Sequence, residues 1–143
     1  MLDNPQYSGA MCTWPEIVLM HGVSERMPDL AQKYKCVVVS NAAESNAELM
    51  KKAFERIEMD QYFYLFVTSK ELGAKKPEQA FFVNALSVVG ADASEVAMIG
   101  NDYDKDIAPA HDIGMMTILI AGGDSDYPKA THKIKSFSEL AFL

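Results

Sequence analysis

A doubly wound α/β fold built on a mostly parallel sheet of four or five strands is the expectation that this sequence sets. Three observations carry it. Short apolar runs rich in β-branched residues recur at 36–40, 65–69, 96–100 and 116–121, lengths that suit strands. Stretches with apolar residues at helical spacing lie between them. Glycines, prolines and acidic clusters punctuate the joins. Strands that alternate with helices need crossover connections, which make a parallel sheet.

Residues 1–15 carry Pro5, Gly9 and Trp14 without a clear period and are expected to be an irregular lead-in. Ile17, Val18, Leu19 and Met20 form a brief apolar run closed by His21 and Gly22, either a strand or an extended approach. A helix is predicted over 24–34, with Met27, Leu30, Ala31 and Tyr34 on one face, Ser24 as N-cap and Pro28 within the first turn. Cys36, Val37, Val38 and Val39 then run without alternation, so this strand should be buried on both faces until it stops at Ser40 and Asn41. The next helix, 45–59, places Ala47, Met50, Phe54 and Ile57 together. The strand 65–69 leads into a loop at 72–77. Pro77 suits the first position of a helix over 78–89 that buries Phe81, Phe82, Ala85 and Leu86 and ends at Gly90. The strand 96–100 runs into Asn101-Asp102-Tyr103-Asp104-Lys105-Asp106 and a short helix to about His111. A strand over 116–121, a loop over 122–128 and a helical turn or two over 137–143 complete the chain.

At 143 residues this fits one domain, 1–143. An apolar content of 49% with 23% charged residues is that of a globular chain, and the net charge of −7 disfavours nucleic acid and anionic membrane as partners. No apolar run approaches the roughly 20 residues of a membrane span, and the amino terminus lacks a signal-like core. Cys12 and Cys36 have no C-x-x-C spacing, which suits a reducing cytoplasm.

Three places carry candidate chemistry. Ser40 and Asn41 end one strand, Lys76 lies in the loop after the next, and Asp102 and Asp106 follow the third. Strands of a parallel sheet point the same way, so these loops open on one edge. A hydroxyl and a backbone N–H bind phosphate oxygens, a lysine neutralises them, and carboxylates hold Mg²⁺. Each residue also has a structural reading: Ser40 as a strand end, Lys76 as a solvated loop lysine, and the aspartates as helix-start carboxylates worth roughly 0.3–1 kcal/mol. His21, His111 and His132 share no ligand spacing.

The ordered set resembles the haloacid dehalogenase-like (HAD) superfamily, whose members are mostly Mg²⁺-dependent phosphatases. Val37-Val38-Val39-Ser40-Asn41 is similar to its second motif, Gly73-Ala74-Lys75-Lys76-Pro77 to its third, and Met98 to Ile107 with Gly114 to its fourth. His21-Gly22-Val23 before a helix resembles the segment leading into the second motif. The resemblance implies a three-layer, Rossmann-like core without a substantial cap. It also implies phosphomonoester hydrolysis through an aspartyl-phosphate, with Ser40, Asn41 and Lys76 holding the phosphate of a small phosphorylated molecule and Asp102 and Asp106 holding Mg²⁺.

The sequence departs from the family pattern in two respects: Asn101 stands where many members have aspartate, which makes Asp102 the metal candidate, and the first motif is missing. HAD phosphatases begin with an apolar strand ending in Asp-x-Asp, nucleophile and general acid and base. Before Ser40 the only aspartates are Asp3, two residues from Met1 and followed at the second position by Pro5, and Asp29, inside the first predicted helix. Asp124-Ser125-Asp126 has the spacing but follows the last predicted strand. The chain is therefore expected to be the carboxyl-terminal part of a HAD fold, truncated and inactive as given, and no catalytic residue is assigned. The alternative is a non-catalytic HAD-like binding or interaction domain. A missing central strand leaves an opening in the sheet, to be filled by residues 17–20 or covered in a homodimer.

Overall fold

In a computed structural model of the chain, residues 22–41 and 45–142 are described. The expected lead-in and the run at 17–20 lie outside them. β1 (Val37–Ser40) pairs in parallel with β2 (Leu65–Thr68), Val37 opposite Leu65 and Ser40 opposite Thr68. β3 (Ala97–Gly100), β4 (Met116–Ile120) and β5 (His132–Ile134) form a second parallel sheet in that order. Among the described residues, β1 and β3 each have a strand neighbour on one edge only. β1 is accordingly half-buried along its length, not buried on both faces as expected. β5 was not foreseen. Only Ile134 of its three residues is buried, so its apolar signal is a single residue.

Helices cover both faces of the strands, as alternating side chains require. Val37, Val39, Val67 and Met98 pack with Phe81 and Phe82 of α4 (Gln79–Val89) and Ala110 of α5 (Ala108–Asp112). Val38 and Phe66 turn the other way, onto Met50 and Ala53 of α2 (Ala47–Arg56). On that kind of side in the second sheet, Ile99, Ile118 and Ile134 meet Met27 and Leu30 of α1 (Val23–Lys33) and Leu140 of the 3₁₀ segment Phe137–Phe142.

Several boundaries differ from expectation for local reasons. α1 starts at Gly22, left-handed at φ 87 and without a side-chain cap, while the Ser24 hydroxyl bonds to Glu25. Pro28 lies inside α1 beyond its first turn; buried Met27 and Leu30 on either side offset the missing backbone bond. Tyr34 leaves the helix in extended backbone and is exposed. α2 begins at Asn46, whose Oδ1 accepts from the Leu49 N–H at 2.9 Å, and is shorter at both ends than predicted. Pro77 stands ahead of the α4 N-cap, Glu78, not at the first helical position. Gly90 does end α4, with φ 77 and its N–H on the Leu86 carbonyl.

The predicted strand end at Ser69 is the start of a short helix, α3 (Ser69–Leu72). Thr68 caps it, and Glu71 accepts from both the N–H and the hydroxyl of Thr68. The same carboxylate accepts from the Ala47 N–H at 2.8 Å, strapping the start of α2 to the end of β2. A comparable strap joins β4 to the segment before β5. The buried Thr117 hydroxyl donates to the Lys129 carbonyl at 2.6 Å and accepts from the Thr131 N–H at 3.0 Å. None of the described helices is long and apolar enough to cross a membrane.

A Cβ at Gly22 would stand 2.7 Å from the Ser138 Cα, on top of an unfavourable positive φ. Gly22→Ala is therefore expected to destabilise by about 2 kcal/mol or more, read as a shifted urea midpoint. Partial burial pushes the Glu71 carboxyl up, but the bonds from Ala47 and Thr68 outweigh it and hold it below the ordinary glutamate range. A depressed folded-state value gives stability that is complete above the unfolded value of about 4.3 and is lost as pH falls below it. Glu71→Gln should flatten the acid limb of stability against pH below about pH 5, measured by urea denaturation across that range.

Candidate functional site

The chain leaves β1 at Asn41, and that side chain immediately engages the loop after β2. Its Nδ2 donates to the Lys76 carbonyl at 2.9 Å and its Oδ1 accepts from the Lys76 N–H at 2.7 Å. The Lys76 backbone is thus held on both sides by one carboxamide. From this anchor the side chain passes the Phe81 ring, 5.9 Å from Nζ to the centroid, and Nζ meets Asp106 Oδ1 at 2.5 Å. Both partners are largely withdrawn from water, with 14% and 7% of their side-chain surface exposed.

Asp106 comes from the acidic segment after β3. There Tyr103–Ile107 forms a π-helical turn, with Asp102 at its start and α5 directly after it. Such wide turns often mark functional places because the extra residue re-aims side chains. Here Asp106 turns back over the end of β3: a Cβ on Gly100 would lie 2.6 Å from the Asp106 Cβ. Asp106 Oδ2 accepts from the Asp102 N–H at 3.2 Å, and Asp102 Oδ1 accepts from the Lys105 N–H at 3.0 Å. Between them the turn is fixed by its own carboxylates. Tyr103 reaches the other way, its hydroxyl accepting from the Lys129 N–H and its ring lying 5.0 Å from that of Tyr127.

The structure therefore brings together Asn41, Lys76 and Asp106, with Asp102 bonded through its backbone to Asp106. Ser40 precedes Asn41 as the last residue of β1. Asp124 and Asp126 are exposed in the loop after β4. Among the described residues no group of three or more His, Cys, Asp and Glu is arranged to hold a metal. The two carboxylates of the turn are nonetheless hard oxygen donors of the kind Mg²⁺ takes with water and phosphate oxygens completing its shell. Gly100 was expected only as a strand end within the fourth motif and Phe81 only as a core residue; the structure also sets both beside the Lys76–Asp106 pair. A glycine ending an apolar run just before an acidic cluster was the visible signal for the first; nothing in spacing marks Phe81 as the floor under Lys76.

A profile of the haloacid dehalogenase-like hydrolase family matches residues 5–120. The ribulose-1,5-bisphosphate 5-phosphatase of Halopiger xanaduensis is 30% identical over 139 residues, 90% of this chain and 57% of that protein. The glyceraldehyde 3-phosphate phosphatase of Methanocaldococcus jannaschii is 36% identical over 91 residues, 59% of this chain and 39% of its own length. Among solved structures, a HAD phosphatase from Thermococcus onnurineus superposes with TM-score 0.73 at 23% identity, over 85% of this chain and 56% of that one. A 2-haloacid dehalogenase from Pseudomonas syringae pv. Tomato gives 0.70 at 26% identity, over 87% and 52%. The chain spans little more than half the length of the first of these curated relatives and less of the second.

Removing one member of a buried ion pair leaves the other charged and unpartnered. Asp106→Ala is expected to destabilise by about 3–5 kcal/mol, whereas Lys76→Met combined with Asp106→Leu should recover most of that loss. Chemical denaturation of the single and double variants checks both.

Proposed function

Because the chain belongs to the haloacid dehalogenase-like hydrolase family, we propose that its site serves phosphatase-type chemistry on a small phosphomonoester. The observation that carries this reading is Lys76 Nζ, held at the carboxyl ends of the strands against a carboxylate of the acidic turn. A phosphate there would meet the Lys76 ammonium and the Ser40 hydroxyl, with Asn41 on the same wall. Asp102 and Asp106 would hold Mg²⁺, which supplies charge neutralisation at phosphoryl oxygens when bound. Both Asp106 oxygens already have partners, so metal and Lys76 share this carboxylate, and Asp102 is the more available ligand. The names of the matched relatives, both phosphatases of small phosphorylated sugars, support the substrate class.

Lys76 would favour a phosphate over a neutral substrate. A largely buried ammonium paired with one carboxylate gains a second anionic partner at low desolvation cost, since its own water is already gone. A second reading, favoured by the protein partners that both Asp106 oxygens already have, is a HAD-like domain that binds phosphate and Mg²⁺ without turnover.

Titration with inorganic phosphate, with and without Mg²⁺, tests what the two readings share. Binding that strengthens with Mg²⁺, weakens about tenfold or more in Lys76→Met and loses its Mg²⁺ dependence in Asp102→Asn is expected. Absence of phosphate binding overturns both. Hydrolysis of p-nitrophenyl phosphate separates them: turnover abolished by Asp102→Asn marks the hydrolase, and binding without turnover marks the non-catalytic domain.

A further inference from the structure

We propose that Asn41 is a positioning residue for Lys76, its carboxamide acting on the lysine and not on the phosphate. The proposal rests on the phosphate-site reading above and assigns one of that site's residues a different task. A carboxamide offers a donor at one atom and an acceptor at the other. Here both go to the same residue, Nδ2 to the Lys76 carbonyl at 2.9 Å and Oδ1 from the Lys76 N–H at 2.7 Å. The side chain imitates one rung of a β-ladder between the end of β1 and a loop that has no strand of its own.

The effect on the lysine follows from its flexibility. A lysine side chain has many rotamers to give up when it is ordered, and a mobile backbone would add to that cost. With Asn41 fixing the Lys76 peptide and Asp106 holding Nζ, the side chain is set at both ends before any ligand arrives. Of the short polar side chains only asparagine does this at that reach. Aspartate would keep the acceptor but turn an oxygen toward the Lys76 carbonyl, and serine cannot bridge donor and acceptor at once.

Two readouts test the proposal on the full chain, each on variants whose circular dichroism matches wild type. The first is the rate at which acetic anhydride acetylates each lysine, followed by mass spectrometry. Asn41→Ala should raise the Lys76 rate about tenfold, the equivalent of one to two net hydrogen bonds, and leave the other lysines unchanged. Asn41→Ser, which adds no charge and cannot bridge both backbone groups, should move it in the same direction and carries the test where the alanine variant does not fold. An unchanged Lys76 rate in a folded variant overturns the proposal. The second is inorganic phosphate affinity in Asn41→Ala, Lys76→Met and the double variant. If Asn41 acts through Lys76, the double variant binds no more weakly than Lys76→Met alone. A further loss in the double variant means the carboxamide touches phosphate itself, and overturns it. Should wild type bind no phosphate, the phosphate-site reading falls and the acetylation rates alone decide whether Asn41 sets Lys76.

Discussion

The arrangement of the site depends on the ion pair between Lys76 and Asp106, because it joins the loop after β2 to the turn after β3, strands that belong to different sheets among the described residues. Its worth is positional more than energetic. Withdrawing an ammonium and a carboxylate from water offsets much of their attraction, so a buried pair adds little net stability while penalising any arrangement that separates its members. The Asp102 N–H on Asp106 Oδ2 offsets part of the carboxylate's desolvation, and the Asn41 clamp fixes the Lys76 backbone from which the ammonium reaches its partner. Apolar packing beneath, from Val67 and Phe81 to Met98, joins the same two sheets without directing any group.

Other connections, at both ends of the strands, are held in a similar way, by a side chain that bonds backbone. Glu71 ties α2 to β2, the Thr117 hydroxyl ties the segment before β5 to β4, and Tyr103 ties that segment to the acidic turn. Each strap joins groups far apart in sequence through one side chain, so these connections are fixed by more than the chain that leads into them. Preorganised donors and charges of this sort act without reorganising when a ligand's charge appears.

Much of this was legible in the sequence because it rests on patterns with a fixed period. The valine run of β1, the helical spacing of α2 and α4 and the glycine ending α4 all name their elements. The three-part candidate site was legible for a related reason, since parallel strands deliver their following loops to one edge whatever the loop details. What was not legible is set by tertiary partners. Pro28 inside α1 is tolerated by burial around it, Glu71 finds Ala47 across 24 positions, and β5 shows one buried residue in three. Asn41 was readable as a polar group at the right edge, but its partner depends on where the Lys76 backbone comes to lie.

Gly100 has a consequence for how the chain can change over generations. The room beside its Cα is filled by the Asp106 side chain, so the two positions are not free to drift independently. Any larger residue at 100 must be preceded by a loss or shortening at 106, and that first change strands Lys76. A lineage can thus vary the strand end only after giving up the ion pair, so a residue larger than glycine at 100 marks, in sequence alone, a chain that has lost the pair.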